Sequence, residues 1–272
     1  MKDERRAARL RVTALAFVLT TTLPATAASA PTPNPSDLLR QMCDYLVSLK
    51  QFSFRADVAY DVIGPEGKKT QDTFASTIRA RRPDRLRVDA KGHYVDKQFY
   101  YDGKTITLYD VPKKVYAAFT VPPDIEGALA KAHEDFNLTV ALTDLASAKL
   151  YEHLAPALPS ARYLGRETVN GTPCHHIGLE RPGVAIELWI DTGSKPLLRK
   201  VSFVERELPQ APRWTATLKD WGLSVQLNDK VFAFKAPAQT RRIRFLPAEK
   251  NDGPAKWVPT RKGDARETQD VY

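Results

Sequence analysis

The stretch Gln51-Phe52-Ser53-Phe54-Arg55-Ala56-Asp57-Val58-Ala59-Tyr60-Asp61-Val62 decides the fold class. Phe52, Phe54, Ala56, Val58, Tyr60 and Val62 alternate with Gln51, Ser53, Arg55, Asp57 and Asp61. Successive side chains of a strand leave on opposite faces, so this segment has one apolar face and one wet face. That is the signature of an antiparallel strand covered on one side.

The same period continues outward. Gly64-Pro65-Glu66-Gly67 turns the chain, and Phe74, Ser76, Ile78 and Ala80 share a face of the next strand. Arg81-Arg82-Pro83-Asp84 breaks it, and Leu86, Val88 and Ala90 then alternate with Arg85, Arg87, Asp89 and Lys91. Asp102-Gly103 and Asn170-Gly171 are favoured hairpin dipeptides, because both central residues of a type I′ turn need positive φ. Further strands are expected at 105–109, 115–119, 163–169, 173–180, 184–191, 197–207 and 214–225, with 231–234 and 243–245 closing the domain.

Helical spacing appears at two places. Leu38, Leu39, Met42, Leu46 and Leu49 form an amphipathic stripe, with Asn34 placed to N-cap it and Pro35 at the first position. Ile125, Leu129 and Ala132, and then Leu142, Leu145, Leu150 and Leu154, mark a helical middle ended by Pro156 and Pro159. Connections of hairpin length exclude a doubly wound parallel sheet. A sheet of roughly ten strands must curl. The expected fold is therefore mainly β with helices: a curved antiparallel half-barrel, an unclosed β-barrel, with a helical plug or lid.

The ends carry targeting and composition signals. Residues 1–11 are net basic, Val12–Leu23 is uncharged and mainly apolar, and Ala25-Thr26-Ala27 offers a small-x-small cleavage site. This order reads as a signal peptide over 1–27, followed by an extended linker over 28–35. The apolar run is short for a membrane-spanning helix. No lipidation cysteine follows it, since the first cysteine is Cys43. Residues 247–272 are polar and charged with little periodicity, which reads as a mobile tail. The ordered domain is then 36–246.

The whole chain carries a formal charge of +9. Lys2, Arg5, Arg6, Arg9 and Arg11 against Asp3 and Glu4 take a net +3 away with the signal, leaving +6. A basic surface suits anionic headgroups, and export together with the lack of any nucleic-acid motif excludes DNA and RNA as the expected partner. Cys43 and Cys174 permit one disulfide in an exported chain.

The chain resembles a family of predicted periplasmic proteins (domain of unknown function 2092), whose fold is that of the Lol-system lipoprotein carrier and receptor, LolA and LolB. The resemblance rests on Tyr100-Tyr101-Asp102-Gly103-Lys104-Thr105, Lys114-Val115-Tyr116, Tyr163-Leu164-Gly165, Val169-Asn170-Gly171-Thr172-Pro173-Cys174-His175-His176, Glu187-Leu188-Trp189-Ile190-Asp191 and Phe232-Ala233-Phe234. It implies a half-barrel whose helices enclose an apolar cavity for acyl chains.

Nothing in the sequence marks a catalytic centre. There is no Gly-x-Ser-x-Gly elbow, P-loop or dinucleotide fingerprint. His133-Glu134 lacks the second histidine of a zincin helix, because position 137 is Asn. His175 and His176 are adjacent on a strand and point to opposite faces, so they do not chelate one metal. No metal and no cofactor is expected. The candidate wall of the apolar cavity is Phe52, Phe54, Tyr60, Phe74, Tyr101, Trp189, Phe203 and Trp214. The expected function is a non-enzymatic, soluble periplasmic carrier for a lipid, an acyl chain or a lipid-modified protein, monomeric and in transient contact with the inner or outer membrane. The alternatives are a protein-interaction module or envelope-stress sensor subunit, and then a hydrolase.

Overall fold

The computed structural model describes residues 32–64 and 66–245. The signal-peptide reading, residues 28–31 of the linker and the tail reading fall outside these residues.

The first helix, α1 (Pro35–Ser48), starts as its sequence dictates: the Asn34 side chain accepts from Ser36 N at 2.9 Å, and Pro35 occupies the first turn. The chain then runs through β1 (Gln51–Ile63), β2 (Lys69–Arg81), β3 (Arg85–Gly92), β4 (Asp96–Tyr101), β5 (Thr105–Asp110) and β6 (Val115–Thr120). A helical segment follows: α2 (Ile125–Phe136), a 3-10 turn at Thr143–Ala146, α3 (Leu150–Leu154) and a second 3-10 turn at Ala155–Ser160. The chain returns through β7 (Arg162–Val169), β8 (Thr172–Arg181), β9 (Val184–Asp191), β10 (Leu198–Glu205), β11 (Arg213–Gly222) and β12 (Arg241–Arg242).

Among the described residues, twelve strands form one sheet, in the order β12-β6-β5-β4-β3-β2-β1-β11-β10-β9-β8-β7. The two edges do not pair with each other, so the barrel is unclosed. Every pairing is antiparallel except β12 with β6. β1 lies at the centre, paired to β2 along its whole length and to β11 on its other side. The alternation read in 51–62 is the alternation observed: Phe52, Phe54, Ala56, Val58 and Tyr60 are buried in the core. The hairpin of β7 and β8 has Asn170 at φ 46° and Gly171 at φ 78°, the conformation its dipeptide favours.

The helices lie on the inner face. Leu39, Met42, Cys43 and Leu46 of α1, with Ile125, Ala128 and Ala132 of α2, enter the same core cluster as Ile78, Leu86, Ile106, Ile177, Leu188 and Leu218 of the sheet. The sheet tolerates little intrusion beneath them. A Cβ on Gly92 would sit 2.6 Å from both Phe74 Cβ and Thr73 O. Relieving that contact moves backbone of β2, so Gly92→Ala is expected to cost about 1–2 kcal/mol, read as a lowered urea midpoint at unchanged slope.

The closing segment differs from its sequence reading. Residues 231–234 are not a strand: Asp229–Val231 is a 3-10 turn, and the chain from Leu227 crosses the outer face of the sheet as a strap. The outer face explains why. β2 and β3 place Arg79 opposite Arg87 and Arg81 opposite Arg85. Like charges directly across a strand pair repel. Asp89 bridges the first pair, and the strap supplies the second with Asp229. Arg81 also donates to Leu227 O at 2.7 Å and Arg87 to Val231 O at 3.2 Å. Phe232 is buried beneath Arg81, and Phe234 packs on Tyr100, Tyr109 and Tyr116. The strap then pairs its two residues of β12 with β6. It ends with Phe245 against Phe119 and Phe136, on the core side of that edge.

Candidate binding site under the helical cover

The inner face of the sheet is an apolar surface of aromatic and aliphatic side chains. Phe52, Phe54, Tyr60, Phe74 and Tyr101 are buried in it, and Phe203 and Trp214 pack half-buried at its margin. Two aromatic groups stand out. Tyr60 meets Phe74 at 6.0 Å and Phe203 meets Trp214 at 5.5 Å, and the register that sets Tyr60 opposite Trp214 puts all four on one stretch of the face. Phe54 stacks on Trp221 at 4.6 Å, and Phe52 meets the same ring at a tilt, at 5.9 Å. Trp221 reaches the inner face because the β1–β11 register shifts between Ser53 and Arg55, where Asp220 takes φ 53°. That bulge has no signature in the alternation of Arg213–Gly222, so Trp221 is legible only in the structure.

Trp189 belongs elsewhere, which corrects its assignment to the cavity wall. In β9 the core residues are Ile186, Leu188 and Ile190, so Trp189 faces outward. There it stacks on His176 at 4.2 Å, donates from Nε1 to Glu167 at 2.7 Å and carries Lys200 Nζ over its ring. The Trp189 hydrogen bond holds the Glu167 carboxyl below its ordinary range. His176 also meets Glu167, at 3.0 Å from Nδ1, while its neighbour His175 lies on the inner side with Nδ1 3.1 Å from the Tyr163 hydroxyl. Opposite faces separate the two histidines. Among the described residues, no group of three or more His, Cys, Asp or Glu side chains is arranged to hold a metal.

The disulfide is also corrected. Cys43 and Cys174 are both free thiols and both buried, Cys43 in the core beneath α1 and Cys174 on β8 outside that cluster. The inward helix stripe and the outward strand position put the sheet between them. Burial pushes the Cys43 thiol up to about 12 and Cys174 to about 11. Neither is a ready nucleophile.

The helical cover is tied down by Arg82, which sequence alone reads only as part of a turn. Its Nη1 donates to Leu49 O at 2.6 Å, at the end of α1. Its Nη2 donates to Leu145 O at 3.1 Å and Ser147 O at 3.3 Å, in the 3-10 turn that follows α2. The guanidinium stands 5.3 Å from the Phe52 ring. Burial lowers its pKa, with the Glu126 carboxylate opposing. Glu126, in the first turn of α2, accepts from Ser147 Oγ at 3.1 Å and from Ala148 N, closing the network. On the far side of the cover, Arg40 of α1 lies over the Tyr151 ring of α3 and donates to its hydroxyl at 2.9 Å.

One place under α1 is left open. A cleft of about 500 Å³ separates Leu38, Gln41, Asp44 and Tyr45 of the helix from His175, Ile190 and the β9–β10 turn.

A second polar feature lies at the opposite end of the inner face. Lys97 and Asp110 form an ion pair at 3.9 Å on β4 and β5. Burial pushes the Lys97 ammonium down to about 8, with Asp110 opposing. A lysine whose folded pKa lies below its unfolded value weakens the fold most below the folded pKa. That penalty is relieved as pH rises from about 8 toward 10.5. The two thiols act the other way, since their stabilising contribution is lost above pH 9, where they ionise in the unfolded chain. Stability is therefore expected to rise between pH 8 and 9 and fall above it. Thermal midpoints across this range check it, with Lys97→Met flattening the rise and Cys43→Ala reducing the fall.

The predicted periplasmic protein family DUF2092 matches residues 36–246. The chain belongs to that family. The match spans the half-barrel from the first turn of α1 to the end of the strap. Among curated proteins, none matches the chain. Several solved structures resemble it at low identity. An uncharacterized conserved protein from Thermus thermophilus has a TM-score of 0.46 at 11% identity, with 76% of this chain and 97% of that chain covered. The Pseudomonas aeruginosa MucA/MucB complex gives 0.43 at 16%, covering 75% of this chain and 62% of that chain. A LolA superfamily protein from Nitrosomonas europaea gives 0.33 at 10%, covering 74% and 98%. Among the described residues of this DUF2092 protein, no helix is long and apolar enough to cross a membrane.

Proposed function

We propose that this DUF2092 protein is a non-enzymatic periplasmic binding protein that takes an acyl chain, free or attached to a protein, between its helical cover and the inner face of its sheet. One observation carries the reading: the apolar inner face is covered by helices rather than by a second sheet, and the cover is tied down by side-chain hydrogen bonds to backbone groups, those of Arg82 to α1 and the first 3-10 turn and of Arg181 to α3 among them. Such a cover lifts without breaking a strand pairing. The side chains it withdraws, Leu39, Met42 and Leu46, leave an apolar surface that an acyl chain replaces. Each buried CH2 contributes about 0.8 kcal/mol, so a chain of about a dozen carbons supplies enough to offset the opening. The basic surface fits an anionic headgroup or leaflet.

Native mass spectrometry with lipid extraction, on protein purified from periplasm without detergent, tests the proposal. A defined co-purifying lipid or acylated peptide is the expected result. A clean apo mass that stays unchanged after incubation with lipid vesicles overturns it.

A second reading, a protein-interaction module, is favoured by one feature. β7 is an open edge of the sheet, and Leu164 on it is 48% exposed. Such an edge accepts a partner strand. Stoichiometric capture of one protein without lipid supports this reading over the first.

A further inference from the structure

The cleft beneath α1 is lined by uncommitted polar groups around an apolar floor. Leu38, Ile190 and Pro196 supply the floor. Asp44 and Gln41 are exposed on the helix side, and neither makes a side-chain hydrogen bond or ion pair among the described residues. On the sheet side His175 engages Tyr163 through Nδ1, which leaves Nε2 without a partner among the described residues. The other carboxylate of the lining, Asp191, is already held by Arg199 at 2.6 Å and by Gly193 N. The charge that the cleft has to offer a ligand is therefore the single negative charge of Asp44. Burial, and then Arg166, lower the pKa of His175, so at neutral pH it adds hydrogen bonding and no positive charge. The volume lies in the range of about 300–1,000 Å³ typical of small-ligand sites.

We infer that this cleft is a binding site for an organic ammonium group carried on an apolar stem: the stem lies on Leu38, Ile190 and Pro196, and the ammonium pairs with Asp44 and donates to Gln41 Oε1, or to His175 Nε2 in the tautomer whose Nδ1 donates to the Tyr163 hydroxyl. An anion of the same shape is rejected, because it meets Asp44 without a cation in the lining to offset it. The cleft opens at the margin of the inner face beneath α1, beside Ile190, but the inference rests on its polar lining and not on acyl-chain binding. A lysine side chain of a protein and an amine-headed lipid both present this chemistry.

Titrating the 15N-labelled protein with hexylamine, hexanol and hexanoate tests the assignment by NMR. Hexylamine is expected to shift the amides of Gln41, Asp44, Gly193 and Ser194, and to bind more tightly than either neutral or anionic analogue. Asp44→Asn keeps the shape of an exposed residue and is expected to weaken hexylamine about fivefold, the loss of one partly exposed ion pair, while leaving hexanol unchanged. Equal binding of hexanoate, unchanged hexylamine affinity in Asp44→Asn, or shifts confined to other residues would each overturn the proposal. N-acetyl-lysine methylamide and a short-chain phosphatidylethanolamine are then competed against hexylamine. Displacement by one of them assigns the source of the amine, and displacement by neither overturns the site's chemistry.

Discussion

Replacing Phe52 with alanine is expected to destabilise the protein by about 3–5 kcal/mol, a large share of the net stability of an ordinary domain. Phe52 is fully buried at the second position of the central strand. It stacks with Phe54, meets Trp221 at a tilt, lies beneath the Arg82 guanidinium and is paired across to Ala80. Truncation leaves a hole bounded by sheet on one side and helix on the other, and alanine at the facing position cannot fill it. The loss reaches the cover as well, since the ring that supports Arg82 goes with it. Chemical denaturation reads the loss as a lower midpoint. Phe52→Leu fills most of the volume and is expected to recover more than half of it. A wild-type midpoint in Phe52→Ala would mean that the inner face is not the core of this domain.

The second large effect concerns Arg82. Arg82→Leu keeps much of the aliphatic volume and removes three donors to Leu49 O, Leu145 O and Ser147 O. Carbonyls that lose a charged donor in a half-buried setting cost about 3 kcal/mol together. Amides of α1 and of Leu145–Ala148 are expected to exchange about a hundredfold faster in hydrogen-exchange measurements and to remain the less protected set, because the cover opens before the sheet; those of β1 and β2, near the global limit, accelerate only through the lowered global stability. Wild-type exchange in α1 and Leu145–Ala148 would show that Arg82 does not hold the cover. If the acyl-chain proposal holds, the same variant also binds a fluorescent fatty acid faster, because the cover opens at lower cost.

These two residues illustrate what the sequence does and does not convey. Phe52 is legible because period two needs only neighbouring residues: its burial follows from an alternation that runs from Gln51 to Val62. Arg82 sits in a run of polar turn residues, and nothing local separates it from Arg81. Arg81 turns outward to Asp229 in the strap, and Arg82 turns inward to the cover. The difference is one step of strand parity, and its consequence depends on elements more than 60 residues away. Trp189 makes the same point in reverse. Its parity with Glu187 places it outside, and its aromatic character is no guide to a cavity wall when an outer network of His176, Glu167 and Lys200 covers the ring.

Local pattern is enough for the half-barrel class, the inward face of its central strands, the start of α1 at Asn34 and Pro35, and the Asn170-Gly171 hairpin. Each of these is settled by short-range sterics or by a period that a strand or helix repeats along its own length. The strap across the arginine ladder, the bulge that brings Trp221 inward, the separation of Cys43 from Cys174, the tie made by Arg82 and the cleft beside Asp44 emerge only in three dimensions. Those depend on strand order and on the side from which a distant segment arrives. The chain's local pattern carries no record of either, because the energies that choose between them arise only when the sheet has curled and its two faces have become different environments.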